Sequence, residues 1–337
     1  MQEESQLARY LWPIVLTIAV VVVVVSFARR PLAGGDSVAS SFSPPLTLWV
    51  TGAEANGQAA AIAAQAASCW TTNGSSASVG VLPGDSSTAV VGFLDRAHVS
   101  ATELLLITSN TLAEIARDEG DQLLPEEVRE RARQAVGLLR GARTVAVLAS
   151  DPLALAVRAD SPIRSTDQLV TLVRRSLPRP LFDVAADAWL RGSLAELVQS
   201  VGLEGEVPYG VFDSSQEALA SLAAGEDDVV VAPHSAIVRE LRDGRLRELP
   251  WPPLGGSAPR AWMAIIGTSG LDGARLARLR SQARGLCGPA TWSRLLHRDG
   301  LSPVKPGSVR LASFLREGIE EAGQLQALAS RTMRDDS

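Results

Sequence analysis

From residue 46 onward, short apolar runs alternate with segments of helical period, and this alternation constrains the chain more than any other feature. The runs are LTLWV (46–50), ASVGVL (77–82), ELLLIT (103–108), TVAVLA (144–149) and LALAVR (153–158), with an Ala-rich helix near 57–69 after the first. Strands interleaved with helices predict an α/β fold with largely parallel sheets. Helix starts are also marked. Ser165 with Gln168, and Ser214 with Glu217, form capping boxes ahead of apolar positions at helical spacing. A helix over 308–325 places Leu311, Phe314, Leu315 and Ile319 on one face. Another over 125–141 carries mixed charges that read as a solvated face.

The segment LWPIVLTIAVVVVVVSF, Leu11 to Phe27, is uncharged and just long enough to span a bilayer as a helix. It reads either as a membrane anchor or as a signal segment, with SVAS (37–40) a weak cleavage site; the anchor is the reading taken. Arg29 and Arg30 follow the span and Glu3 and Glu4 precede it, an arrangement that by the positive-inside tendency leaves the body in the cytoplasm. A Gly-, Ser- and Pro-rich linker occupies 29–45. Thus residues 1–28 form the anchor or signal segment, and the folded body begins near Leu46.

Several chemistries are excluded. The formal charge of -5 and the lack of a basic stripe exclude nucleic acid as the main partner. Lys305 is the only lysine, and no phosphate-binding, dinucleotide-binding or nucleophile-elbow motif occurs. The three histidines, His98, His234 and His297, show no metal-ligand spacing, so no metal and no cofactor is expected. His234 follows the apolar run VVVAP and reads either as a cap or as a cleft residue. The Asp227–Asp228 pair reads as a turn feeding a strand. Cys69 and Cys287 form either one disulfide, if the body is exported, or two buried free thiols.

In ELLLITSNTLAEI (103–115) a strand stops at Thr108, Ser109, Asn110 and Thr111 before a helix. The knot is either a plain N-cap or a place where hydroxyls and free backbone N–H groups hold a small polar ligand.

Together these stretches resemble the extracytoplasmic solute receptors of the tripartite tricarboxylate transporter family, the TctC or Bug type. PLTLWVTGAEANGQAAAIAAQAA is similar to the family's opening strand, loop and first helix, and ELLLITSNTLAEI to its Thr-Ser-Gly-Thr-like loop. TVAVLASDPLALAVRADSPIRSTDQLVTLVR resembles the crossover into a second lobe. VPYGVFDSSQEALASLAAGEDDVVVAPHSAIVRELRDGRLREL resembles the Val-Pro-Tyr loop and the Asp-Val strand with its flanking helices. AWMAIIGTSG and GLSPVKPGSVRLASFLREGIEEAG are similar to the return and the C-terminal helix. The likeness runs in order from about 45 to 325.

It implies a two-lobed periplasmic-binding-protein-like fold of type II with two inter-lobe crossovers. Lobe one would span 46–150 and 258–330, and lobe two 151–257. It also implies an extracytoplasmic body, anchored by one N-terminal span or released if that segment is cleaved. The partners would be a small organic, carboxylate-like solute and the membrane permease subunits. The ligand-binding residues carried over are Thr51, Gly52, Ala53, Glu54, Ala55, Asn56 and Gly57 of the first loop, Asp85, Ser86 and Ser87 of the second, and Thr108, Ser109, Asn110 and Thr111 of the knot. Lobe two would add Asp187, Phe212, Asp213, Ser214 and His234.

This chain departs from the family pattern at instructive places. TGAEANG stands where the family has a Pro-Phe-Ala-Ala-Gly-Gly-like loop, so Glu54 sits where a carboxylate would approach. A like charge at ~4 Å costs several kcal/mol at a partly buried site. Glu54 therefore turns away, is protonated, or selects a neutral or cationic ligand. Asp187, Trp189 and Arg191 replace small residues, and Trp189 has the bulk to fill the pocket. These departures admit a second expectation, a membrane-anchored sensor or interaction module that no longer transports. An enzyme is the least favoured reading, because no nucleophile, base and orienter come together.

Overall fold

The computed structural model describes residues 45–332, apart from 56, 73–75, 97–101, 176–179, 205–206, 253–257, 287 and 305–308. The apolar segment at 11–27, the linker up to residue 44, Asn56, His98 and Cys287 thus lie outside the described residues. Among the described residues no helix is long and apolar enough to cross a membrane.

In chain order the elements are β1 (Leu46–Thr51), α1 (Gln58–Thr72), β2 (Ala77–Leu82), α2 (Ser86–Arg96), β3 (Glu103–Thr108), α3 (Ser109–Gly120), α4 (Glu126–Gly141) and β4 (Arg143–Arg158). Then come α5 (Thr166–Arg175), β5 (Phe182–Ala185), α6 (Ala188–Ser200), β6 (Tyr209–Phe212), α7 (Ser215–Ala224), β7 (Val229–Pro233), α8 (His234–Arg242) and β8 (Leu246–Leu249). The chain continues through β9 (Arg260–Gly267), α9 (Gly273–Arg284), α10 (Pro289–Arg298), β10 (Ser302–Pro303) and α11 (Phe314–Thr332). A single 3-10 turn, Gly52–Glu54, follows β1.

The strands form one mixed sheet in the order β2-β1-β3-β9-β4-β7-β5-β6, with β8 and β10 also pairing with β4. The flanks are parallel, β1 with β2 and β3, and β5 with β6 and β7. The expected largely parallel sheet is corrected at the centre, where every pairing of β4 and β9 is antiparallel. These two strands run in opposite directions through the middle of the sheet, and a parallel flank can meet them only on its own side.

A second correction concerns β4. TVAVLA and LALAVR, expected as two strands, are one strand of 16 residues. Residues up to Pro152 pair with β9, and from Leu153 onward the pairing passes to β7 and β8. The proline's missing N–H falls where the strand changes partners, so the ladder loses little there. α11 is also corrected, starting at Phe314 rather than near 308; Leu311 stands in the turn before it. The expected capping boxes form by half: Ser165 Oγ accepts from the Gln168 N–H at 3.2 Å and Ser214 Oγ from the Glu217 N–H at 3.2 Å, but Gln168 Oε1 and Glu217 Oε2 accept from the preceding residues, the Arg164 N–H at 2.9 Å and the Asp213 N–H at 3.2 Å, and not from the caps themselves.

Cores lie on both faces of each half of the sheet. Trp70, Leu48 and Ile265 belong to one, Phe93, Ile107 and Leu139 to another, and Trp189, Leu194 and Val231 to a third. Helix α11 joins two of them. Leu315 and Ala322 pack with Leu112 and Ile107, while Leu325, Leu328 and Ala329 pack with Trp189 and Leu194. Trp189 is 3% exposed within this core. Its bulk is therefore spent in the packing of α6 against α11, where the sequence had suggested a filled pocket.

Candidate ligand cleft

Strands that run parallel bring their C-terminal ends, and the N-termini of the helices that follow, to the same edge of a sheet. Thr51, Leu82 and Thr108 end β1, β2 and β3 in this way. The β1 and β2 loops touch closely: a Cβ on Gly52 would meet the Gly84 carbonyl oxygen at 2.9 Å, and Gly84 itself has φ +97°. Both positions call for glycine.

The polar knot is a cap and something more. Thr108 caps α3, accepting from the Thr111 N–H at 3.0 Å, while its own N–H donates to Thr111 Oγ1 at 3.4 Å. The Thr108 hydroxyl donates its one proton to Glu54 Oε1 at 2.7 Å, so Thr111 donates to Thr108 across 3.0 Å. Glu54 thus faces the knot. One turn into α3, Glu114 accepts from Asn110 Nδ2 at 3.1 Å and from the Ser86 hydroxyl on α2. The Ser109 hydroxyl instead accepts from the Trp262 N–H of β9 at 3.3 Å.

The far half of the sheet contributes Asp187. It caps α6, accepting from the Leu190 N–H at 2.9 Å, and it lies beside the end of β6, where the Ala186 N–H donates to the Phe212 carbonyl at 2.7 Å. Burial pushes its carboxyl up to about 7; the Leu190 N–H opposes this, and the nearby Glu114 and Glu54 carboxylates add to it. Glu54 is likewise raised, first by burial, against the Thr108 hydrogen bond, and further by Glu114. Among the described residues no arginine or histidine forms an ion pair with Glu54, Glu114 or Asp187.

A second polar group joins the halves nearby. Asp151 of β4 is buried and accepts from the N–H (3.2 Å) and the hydroxyl of Ser235, at the start of α8; that hydroxyl also lies 3.3 Å from Gln58 Oε1, the first residue of α1. Burial raises the Asp151 carboxyl to about 6 against the Ser235 donors and His234.

The remaining expected residues are dispersed around this edge. Asp85 caps α2 through the Thr88 N–H at 2.7 Å, and Ser214 caps α7. The Asp213 N–H is taken by Glu217 Oε2 at 3.2 Å. His234 Nδ1 lies 3.3 Å from Glu248 Oε2, so its ring is turned to a half-buried surface pair. The Ala55 N–H closes the 3-10 turn on Gly52 O, and the Gly57 N–H bonds Glu54 O at 3.1 Å; the side chain of Ala53 is outside the description. Glu114, Asp151, Ser235 and Gln58 escaped the sequence reading. Glu114 had one signal: it stands four residues after Asn110, on the same helix face.

No family model matches the sequence, and no curated protein matches it. Solved structures do. A TctC solute binding protein from Polaromonas has 15% identity and a TM-score of 0.65, covering 86% of this chain and 99% of that one. MatC from Rhodopseudomonas palustris with bound malate has 16% identity and a TM-score of 0.59, covering 85% and 98%. The periplasmic binding protein BugD has 13% identity and a TM-score of 0.58, covering 86% and 98%. The chain is thus similar in fold to solute-binding proteins of the TctC and Bug type, the type that its strand and loop sequences resemble.

Proposed function

We propose that this protein is an extracytoplasmic solute-binding protein of the tripartite tricarboxylate type, which captures a small organic solute in a cleft between two lobes and hands it to a membrane permease. The observation that carries this reading is the packing of α6, which Asp187 of the far half caps, against α3, whose cap Thr108 holds Glu54 of the near half. In such a type II arrangement the lobes would be 46–150 with 258–330, and 151–257, with β4 and the segment leading into β9 as the two crossovers. Closing one on the other would bury the solute and report occupancy to the permease. The segment at 11–27 would hold the body at the outer face of the membrane, or be cleaved to release it. Cys69 is disulfide-bonded, and Cys287, the only other cysteine, is its proposed partner. This pairing suits export.

A thermal-shift screen of the full-length chain against small carboxylates, amines, amino acids and neutral organics tests the reading, because a ligand that binds only the folded state raises its stability. A concentration-dependent rise with any class is the expected result. A second reading, a sensor or interaction module of the same fold, is favoured by one observation: helix N-termini at the cleft are already met by the chain's own carboxylates, Asp187 at α6 and Asp151 at α8. Silence across the screen from a folded sample would select it.

A further inference from the structure

On one side β4 pairs with β9 from Arg143 to Pro152, whereas on the other β10 reaches only Ala149 and Ser150, so the stretch before Ala149 is an open edge among the described residues. A cavity of about 510 Å³ lies against this stretch, walled by Val145, Val147 and Leu148 of β4, by Leu286 and Trp292, and by Leu311 in the turn before α11. The Trp292 indole N–H is spent on the Leu148 carbonyl at 3.2 Å, which leaves its ring as an apolar wall. The charged groups on the lining are two, Arg280 and Arg284 of α9, and both are basic. Four residues apart, they share one helix face, and Arg284 Nε donates to the Arg280 carbonyl at 3.3 Å. Arg280 gives Nε and Nη2 to the Thr144 carbonyl at 3.1 and 2.8 Å, and its Nη1 is left over. Among the described residues no carboxylate pairs with either arginine. Burial, then the Arg143 and Arg284 guanidiniums, hold the Arg280 pKa below its ordinary value, as befits a cation without a counter-charge. Through β9, Thr144 stands level with Leu105 and Ala149 with Thr108, so the Arg280 end of the cavity is the end remote from the candidate cleft.

We infer that this cavity is a second ligand site, separate from the cleft, for a small amphiphilic monocarboxylate, with the carboxylate on Arg280 and Arg284 and the hydrocarbon body against the apolar wall. Its volume falls within the ~300–1,000 Å³ of small-molecule sites, which combine apolar walls with a few placed polar groups. Guanidinium N–H groups match carboxylate oxygens in geometry as well as charge. A dicarboxylate would press its second charge against Val147 and Trp292 at a desolvation cost with no partner to offset it. A hydrocarbon without the acid would leave both guanidiniums unmatched. The inference does not rest on the solute-binding reading, since the cavity is built within the near half of the sheet.

Isothermal titration calorimetry of the full-length chain with octanoate and phenylbutyrate, against the uncharged phenylbutanamide and against acetate, tests it. Both amphiphilic acids should bind, the amide ~10-fold more weakly or less, and acetate not at all. Arg284→Gln should weaken the acids ~10-fold, and Ala283→Phe, which puts a ring into the cavity from α9, should abolish their binding. Arg284 is exposed and Ala283 partly so, and thermal melts of the two unliganded variants check that each is folded. No binding of either acid would overturn the inference and leave the cleft reading untouched. Equal affinity for acid and amide would overturn the carboxylate. Binding that persists in Ala283→Phe would overturn the location and move the acid elsewhere, the cleft included, and unchanged affinity in Arg284→Gln would overturn the part given to that arginine.

Discussion

The Thr108 hydroxyl and the Glu54 carboxylate, 54 residues apart in the chain, meet at 2.7 Å across the ends of β3 and β1. Through this contact the helix cap and the loop after β1 form a single unit. Thr108→Val keeps the shape, removes the cap acceptor for the Thr111 N–H, and leaves Glu54 without its donor. Loss of a cap costs about 0.5–2 kcal/mol, and the uncompensated carboxyl adds to this, so we expect a destabilisation of about 2 kcal/mol by urea denaturation. Thr108→Ser should recover most of it. Equal stability of the valine and serine variants would show that the contact contributes nothing.

Asp183 gives a pH dependence with a definite sign. It is 0% exposed on β5, and neither of its oxygens has a hydrogen-bond donor among the described residues. Its neighbour is the Asp227 carboxyl, which accepts from the Ser221 hydroxyl. Burial first, then Asp227, pushes its carboxyl from 3.8 up to about 8. Between those values the folded state holds one proton more than the unfolded chain, so stability falls as pH rises through that window. Asp183→Asn removes the linkage. The variant should melt several degrees above the parent at pH 8 and close to it at pH 4, as read by thermal melts across the range; a constant difference would refute the assignment.

How much of this could be read beforehand follows from what each feature presents in one dimension. The strands β1, β2 and β3 and the serine caps of α5 and α7 are local patterns of hydrophobicity and short polar side chains, and they were legible within a residue or two. β4 was not, because Asp151-Pro152 carries the signature of a break, and only the change of partners from β9 to β7 and β8 explains why a strand continues through it. The site divides the same way. Thr108 and Glu54 stood out as loop residues, whereas Glu114 sits mid-helix among charged neighbours and reads as surface until Ser86 is brought to it from α2. Long-range pairing is the part that periodicity does not encode.

Gly192 tests the packing that links the two halves. In a helix interior Gly→Ala ordinarily stabilises by about 1 kcal/mol. Here an added Cβ would lie 2.7 Å from the Leu325 Cβ and 3.3 Å from the Leu325 backbone, on α11. Backbone cannot yield as a flexible side-chain end does, so Gly192→Ala should destabilise by about 1–3 kcal/mol despite its better propensity. Chemical denaturation measures this directly, and a stabilised variant would mean that α6 and α11 separate at little cost.

The disulfide of Cys69 predicts a response to reductant. Cys69 is buried among Ala66, Trp70 and Leu286, the last being the residue next to Cys287. Peptide mapping without reductant should recover one cross-linked species joining the peptides that contain Cys69 and Cys287. Reduction should cost about 2–5 kcal/mol, the usual effect of losing a native bridge. Two free thiols in protein exported by its own N-terminal segment would contradict the pairing.

His234 is the residue on which a catalytic reading would depend, and its surroundings argue for a modest role. Its Nδ1 is 3.3 Å from Glu248 Oε2, and both side chains are partly exposed. Exposed pairs of this kind contribute about 0–1 kcal/mol. His234→Ala should therefore lower stability by less than about 1 kcal/mol and leave the thermal shift produced by a bound solute unchanged. Loss of that shift in a folded variant would move His234 into the cleft as a solute contact. Turnover of a solute by the parent that disappears in the variant would replace the binding protein with an enzyme.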